Sequence, residues 1–359
     1  MYPAPPPAGP PPPAGPPPPA TGVPRHDRTL VVVVAVLAGA ALLGILACGG
    51  AAFLLRDRLL GDSRATTLTV EAVTTDGSAP GRADLERTRD VLADRLAAAE
   101  LDRPSVDIEG DRLVLRVGGT GHEDDLRSLA GTGELGFRRV LGAVADQGTG
   151  RATPSTPDRG PVPARDKVAA KLGPAYQLAE TITTPGPLDP ATVRGLAPFA
   201  TLTPAEVAAL PPDMRFRVPT VTCAQLTARP VGGPAAEPTV ACDAADPPVK
   251  YLLDVVRVGS SDVGNAEAKP NQTGQWIVTV SFTDAGQRRW TDLTREASGA
   301  GSDNQVAVVL DNLVVSAPAV QGVITGDTEI SGRFTRDRAM LLAAQIGSDP
   351  LPLVLRVVG

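Results

Sequence analysis

Between Thr29 and Leu55 the chain reads TLVVVVAVLAGAALLGILACGGAAFLL, with no charged side chain, and Arg28 and Arg56 fence the run. At about 1.5 Å of rise per residue, a helix of this length crosses a hydrocarbon layer of about 30 Å. A soluble core helix as long would carry a polar face, and this run has none. The pattern predicts one transmembrane helix over 29–56. Beyond Arg56 polar and apolar positions alternate in short periods, which predicts a folded domain tethered by that helix.

Thr67 to Val73 alternates, with Leu68, Val70 and Ala72 on one face, and predicts a strand. Asp84 to Leu101 has a helical period. Leu85, Thr88, Leu92, Leu96 and Ala99 line its apolar stripe, and Glu86, Arg87, Arg89, Asp90 and Arg95 are placed away from it. Val106 and Ile108 mark a short strand, Gly110-Asp111 a turn, and Leu113, Leu115 and Val117 the next strand. Glu123 to Ala130 predicts a short helix with acids in its first turn, where they complement the dipole. Leu135 and Phe137 mark a last strand. The order βαββαβ over 66–142 predicts a ferredoxin-like base within an α+β fold.

Periodicity weakens over 143–249, where Gly, Pro, Thr and Ala dominate. This stretch is expected to be an irregular insert with two short helices, over Asp166 to Leu172 and from Thr203. The second opens on a capping box, Thr203 with Glu206, and Pro204 in the first turn. Order returns over 250–348. Tyr251 to Val258 is strand-like, and Trp276, Val278, Val280 and Phe282 alternate. Thr283 caps a helix carrying Ala285, Trp290 and Leu293. Gln305 to Leu310 is a buried strand, and Asp311-Asn312 turns into Leu313 to Ser316. Ile330 to Phe334 is a strand, Thr335 caps a helix with Met340, Leu341, Ala344 and Ile346, and Gly347 ends it. Residues 349–359 supply a final strand.

Composition narrows the function. Residues 1–28 are too Pro-rich to build a core and are expected to be a disordered tail, partly polyproline II. That tail is either inert or a docking segment for a cytoplasmic partner. A net charge of −6 argues against phosphate-backbone binding, and 3% aromatics argue against base stacking, so nucleic acid is not an expected partner. Of three cysteines, Cys223 and Cys242 flank a loop of roughly 20 residues; a disulfide there would contribute about 3 kcal/mol, and two free thiols are the alternative. Oxidation would place the domain outside the cytoplasm. Cys48 follows Ile45-Leu46-Ala47 as in a lipobox, but the apolar run continues past it and the preceding segment is long, which favours a signal anchor. The flanking arginines leave orientation nearly undetermined.

No enzyme, metal or cofactor is implied. His122 lacks the second histidine of H-E-x-x-H. Ser316 has no G-x-S-x-G turn and no histidine to activate it. Glu123 and Asp124 are accounted for by the helix dipole, and Asp311 by a turn after a buried strand.

Several strings resemble the first large extracytoplasmic domain of the SecD family, membrane components that assist Sec-dependent export. Lys250-Tyr251-Leu252-Leu253 is similar to the entry of its head subdomain. Ala307-Val308-Val309-Leu310-Asp311 with Val315-Ser316-Ala317-Pro318 resembles the head core. Ile330-Ser331-Gly332-Arg333-Phe334-Thr335 resembles its strand and cap, Pro350-Leu351-Pro352-Leu353 its closing segment, and Gly133-Glu134-Leu135-Gly136-Phe137-Arg138 an upstream motif. The resemblance implies a head inserted before the last strand of the base, so that Leu353 to Val358 returns to the base sheet. It implies a cell-membrane protein with a cytoplasmic N-terminus and an extracytoplasmic domain. Its partners would be the Sec translocon or translocating polypeptide, with Asp311, Ser316, Ala317, Pro318 and Gly332 as candidate positions for peptide contact or head conformation. An envelope adaptor reusing the scaffold is the alternative. The family's Gly-rich motif after the first membrane helix is missing. Gly359 falls about where its second membrane helix would begin, so a chain without the proton-coupling helices is expected, and the span over 29–55 holds no ionisable group.

Overall fold

The computed structural model describes residues 65–358, apart from 75–76, 149–160 and 231–234. The expected tail, membrane span and Cys48 lie outside the described residues. Among the described residues, no helix is long and apolar enough to cross a membrane.

The chain begins with β1 (Ala65–Val73), α1 (Arg82–Ala98), β2 (Ser105–Glu109), β3 (Arg112–Gly118), α2 (Glu123–Leu129) and β4 (Leu135–Ala145). Six short helices follow: α3 (Arg165–Leu172), α4 (Pro174–Glu180), α5 (Pro190–Gly195), α6 (Pro204–Ala208), α7 (Pro212–Arg217) and α8 (Cys223–Thr227). Next come β5 (Thr239–Asp243), β6 (Val249–Leu253), β7 (Val258–Gly259), β8 (Val263–Pro270), β9 (Trp276–Phe282) and α9 (Asp284–Ser298). The chain closes with β10 (Val306–Leu310), β11 (Leu313–Ser316), β12 (Thr328–Phe334), α10 (Arg336–Ile346) and β13 (Val354–Val357).

The first sheet has the order β13-β1-β3-β2 and is antiparallel throughout. Leu68, Val70 and Ala72 of β1 are buried on its covered face, as their alternation requires, against Leu85, Leu92 and Leu96 of α1 and Leu126 and Leu129 of α2. Its edge strand β13 comes from the far end of the chain, with Val357 opposite Val70. The strand marked by Leu135 and Phe137 is not part of this sheet, contrary to expectation. Phe137 is fully buried in another core, where its ring meets Trp290 edge-on at 5.1 Å and Phe282 at 5.7 Å. Alternation identifies a strand, but packing of its large side chain decides which sheet takes it.

β4 is shared. Its first half pairs with β10 and its second half with β6, and the pairings β10–β11, β11–β5 and β5–β6 return to it, closing a small barrel. Val140, Ala241, Leu253, Ala307, Val309 and Val314 form one buried cluster from these strands. A third sheet has the order β12-β9-β8, with α9 and α10 contributing to its core.

Among the described residues, the stretch expected to be irregular holds six α-helices and its own core, centred on Leu196, Phe199, Val218 and Leu226. Four of the six begin with proline: Pro174, Pro190, Pro204 and Pro212. Proline suits the first helical position because that N–H has no intrahelical partner. These prolines therefore start helices rather than interrupt them. The Thr203–Glu206 capping box forms, and Thr222 with Gln225 makes a second at α8.

Candidate functional site

Asp311 and Asn312 form the tight turn between β10 and β11. Asp311 has φ of 54°, a left-handed conformation that Asp tolerates better than most residues. Its Oδ1 accepts from the Glu134 N–H at 2.9 Å, and its own N–H donates to the Glu134 carbonyl at 2.9 Å. Asn312 Nδ2 donates to the Arg229 carbonyl at 2.7 Å. One turn thus ties the start of β4 to the segment after α8.

Ser316, Ala317 and Pro318 lie at the other end of β11. Ser316 Oγ donates to the Ser331 carbonyl at 3.0 Å, and the Ala317 carbonyl accepts from Gln305 Nε2 at 3.0 Å. Gly332 occupies the bulge of β12, where the register with β9 shifts between Ile330 and Phe334. A Cβ on Gly332 would meet the Phe334 ring at 2.8 Å, so a larger residue there would require that ring to move. Ser316 therefore reaches the strand that carries Gly332, while Asp311 stands apart. No arrangement here resembles a nucleophile and its base. His122 Nδ1 lies 2.9 Å from Asp125 Oδ2, within the first turn of α2. Among the described residues, no group of three or more His, Cys, Asp or Glu could hold a metal ion.

Arg95 was placed away from the buried stripe of α1, and it is fully buried. Its Nε donates to Ser348 Oγ at 2.7 Å. Nη1 donates to the carbonyls of Leu129 at 3.0 Å and Gly131 at 2.7 Å; Nη2 donates to those of Thr132 at 3.0 Å and Asp349 at 2.9 Å. These partners sit on the two stretches where the chain leaves the first sheet's unit and returns to it. Burial lowers the Arg95 pKa to about 10, against the opposing charges of Asp311 and Asp349. The spacing held the clue: residue 95 follows Thr88 and Leu92 at helical intervals, inside the stripe.

A groove of about 630 Å³ lies between α1, β8 and α10. Val91 and Asp94 of α1, Ala266 and Ala268 of β8, and Trp276 and Met340 line it. Within its sheet β8 pairs with β9 alone, and Gly264, Asn265 and Glu267 are exposed. Arg336 lies over the Trp276 ring at 5.9 Å and pairs with Glu100. A separate cavity of about 340 Å³ adjoins the Asp311–Asn312 turn.

The helical segment is pinned to the barrel twice. Cys223 of α8 and Cys242 of β5 form a disulfide with Cα atoms 5.7 Å apart. Lys250 Nζ, buried, donates to the Val218 and Val221 carbonyls at 3.3 and 2.6 Å and lies 3.9 Å from Asp146 Oδ1. Asp146 Oδ2 accepts from the Cys223 N–H at 2.9 Å, so the pair also braces the disulfide helix.

A family model for the SecDF P1 head subdomain matches residues 239–353. The protein translocase subunit SecD of Streptomyces coelicolor is 39% identical over 143 residues, covering 37% of this chain and 25% of that protein. The SecDF subunit of Brucella abortus is 35% identical over 130 residues, covering 35% of this chain and 17% of that protein. The chain thus spans a quarter or less of these curated relatives. Among solved structures, SecDF in its super-membrane-facing form matches with a TM-score of 0.43 at 20% identity, covering 90% of this chain and 34% of that one. A SecDF structure described as a membrane component that enhances protein export matches with a TM-score of 0.41 at 21% identity, covering 82% of this chain and 98% of that one. Residues 239–353 thus match the SecDF P1 head subdomain, and over about a third of its length the chain is similar to SecD and SecDF subunits.

Proposed function

We propose that this chain serves protein export as a non-enzymatic accessory, anchored by one helix over 29–56 with its N-terminus in the cytoplasm and residues from 65 onward outside. The export role rests on the relatives, which are named as translocase subunits. The four-stranded sheet with α1 and α2 is read as the ferredoxin-like base, split so that the head enters before its last strand. The Sec translocon and translocating polypeptide are the proposed partners.

The observation that carries peptide contact is the open edge of β8 along the groove. An extended chain can add there as a further strand, its backbone paired with β8 and alternate side chains directed towards Trp276 and Met340. Glu267, Lys269 and Pro270 on the same strand discourage permanent self-pairing of that edge. Ser316 and Gly332 shape the bulge at the far edge of the sheet and act on head conformation.

The test places a photo-crosslinking residue at Asn265 or Glu267 of the full chain in cells. Adducts with exported polypeptides are expected at both positions and much less at exposed Asp124 of α2. Adducts absent from both β8 positions would remove the strand-addition reading.

A further inference from the structure

The groove between α1, β8 and α10 has two unlike ends, because α10 runs antiparallel to β8. Arg336, at the start of α10, lies over Trp276, which pairs with Pro270 at the end of β8. Gly347, just past the other end of α10, lies beside β8 at Ala266: a Cβ on it would be 3.5 Å from the Ala266 N and Cβ. The first end is apolar, lined by the half-buried Trp276 and Met340. Acids gather at the second. Asp349 lines it two residues beyond Gly347. Asp94 belongs there too, since its neighbour Arg95 donates to Ser348 Oγ at 2.7 Å.

Asp94, Asp349 and Glu267 of β8 are exposed, and among the described residues none of these three carboxylates has a hydrogen-bond or ion-pair partner. Glu100 also lines the groove, but it pairs with Arg336, which Asp337 approaches at 3.7 Å. The other cations are Lys269 on β8 and buried Arg95, whose donors are spent on neutral oxygens and whose charge bears on Asp349. Five carboxylates against three cations leave this set of groups negative by two. A second copy of the chain is a poor occupant, since it would bring the same acids to the same edge at a net charge of −6.

We propose that the β8 groove favours extended polypeptide segments carrying a basic side chain beside an apolar one, the apolar side chain at the Trp276 and Met340 end and the basic one at the Asp94 and Asp349 end. This rests on the strand-addition reading and adds a charge preference to it. Pro270 and Ala266 are four residues apart on β8, and residues four apart on an added strand share one face, so the two side chains fall four positions apart in the peptide. Antiparallel pairing puts the apolar one first. Burial of the apolar side chain supplies affinity, and the exposed carboxylates discriminate between partners. An acidic side chain in the same register would meet like charge.

The test uses the full chain in a non-ionic detergent and three fluorescent peptides of about eight residues, within the length of a strand. Each carries phenylalanine, and four positions later lysine, serine or glutamate. Fluorescence anisotropy measures binding. At low ionic strength the lysine peptide should bind about tenfold more tightly than the glutamate peptide, with serine between, and added salt should shrink the ratio. Asp94→Lys should cut the ratio to about threefold or less. Asp124→Lys makes the same change of net charge at an exposed position of α2 and should leave the ratio in place. Equal binding of the lysine and glutamate peptides would overturn the charge preference while strand addition stands. So would an unchanged ratio in Asp94→Lys, or an equal fall in Asp124→Lys, which would assign the effect to the charge of the whole chain. Binding of none of the three peptides would instead remove strand addition, and this proposal with it.

Discussion

Arg95 and Lys250 are both almost completely withdrawn from solvent, yet they join their regions in different ways. Arg95 gathers four backbone carbonyls and one hydroxyl from the two crossings between the first sheet's unit and the barrel. Lys250 gathers two carbonyls from the helical segment and lies near Asp146, whose Oδ1 is buried without a hydrogen-bond partner. The planar guanidinium presents five donors in fixed directions, so it can hold two strands of chain in register with one charge. The ammonium is a point charge that titrates readily when buried. Burial takes Lys250 down to about 8, Asp146 opposing, and takes Arg95 down only to about 10, Asp311 and Asp349 opposing. The first joint is therefore insensitive to pH near neutrality, and the second is poised to respond to it. A disulfide reinforces only the second.

Removing the Arg95 side chain is the largest test of that contrast. Arg95→Met leaves the carbonyls of Leu129, Gly131, Thr132 and Asp349 without this donor. The Thr132 carbonyl keeps the Leu351 N–H; for the other three acceptors, at about 1–3 kcal/mol each, the loss should reach at least about 3 kcal/mol. Urea unfolding measures it, and hydrogen exchange should rise first around 129–132 and 348–351. A loss below about 1 kcal/mol would mean that water replaces the guanidinium and that the crossings are held by packing alone.

The double variant Cys223→Ala, Cys242→Ala comes next. A closed loop of roughly 20 residues is worth about 3 kcal/mol by chain entropy. Exchange should accelerate over 165–227 and stay unchanged in β1 and β3. Uniform acceleration across the chain would show that the helical segment and the first sheet unfold as one unit, against the picture of two separate joints.

These features differ in how far the sequence exposes them. The caps at Thr203, Thr283 and Thr335 are legible because each bond runs from a side chain to a backbone N–H three residues on. The buried stripe of α1 is legible for the same local reason, except at Arg95. There an arginine on the apolar face reads as solvated, because the carbonyls that satisfy it come from Leu129 to Thr132 and from Asp349. β8 escapes a propensity argument: Val263-Gly264-Asn265-Ala266-Glu267-Ala268 has little β-branched character, and its pairing with β9 decides its state. The Asn271 turn that precedes β9 was the available signal, since its side chain accepts from the Thr273 and Gln275 N–H groups. Of the candidate site, the Asp311 turn and the strand bearing Ser316 are visible in order. The cavity is not, because its walls come from β4, β5, β10 and the chain around Arg229, which are far apart in sequence.

Lys250 gives a smaller effect, with a definite sign. Its folded pKa of about 8 lies below the ordinary lysine value of 10.5. Between these values the unfolded chain holds the proton and the folded chain has lost it. The unfolded state then binds more protons, so stability rises with pH across this window. The unfavourable contribution is fully present below about pH 8. The slope can reach about 1.4 kcal/mol per pH unit. Lys250→Met should flatten it between pH 8 and 10, measured as urea midpoints, while Arg95→Met should leave it in place. An identical slope in Lys250→Met would assign the dependence to another group. Tyr251 acts the other way at higher pH, since burial beside Asp243 takes its phenol up to about 12.

The smallest effect concerns Asp311, which serves the junction in two separable ways. Its left-handed backbone forms the turn, and its carboxylate accepts from the Glu134 N–H. Asp311→Asn keeps a side-chain oxygen and tolerates the same φ, and it removes only one of the two charges that oppose the burial of Arg95, so it should cost about 0.5 kcal/mol. Asp311→Gly keeps the turn and removes the acceptor. Glycine relieves about 1 kcal/mol of left-handed strain, and it adds up to about 1 kcal/mol of unfolded-state entropy, so these two changes nearly cancel. What remains is the lost hydrogen bond, about 1 kcal/mol. Glycine should therefore be the less stable of the two in urea unfolding. Equal stability would show that position 311 serves the junction only through its backbone.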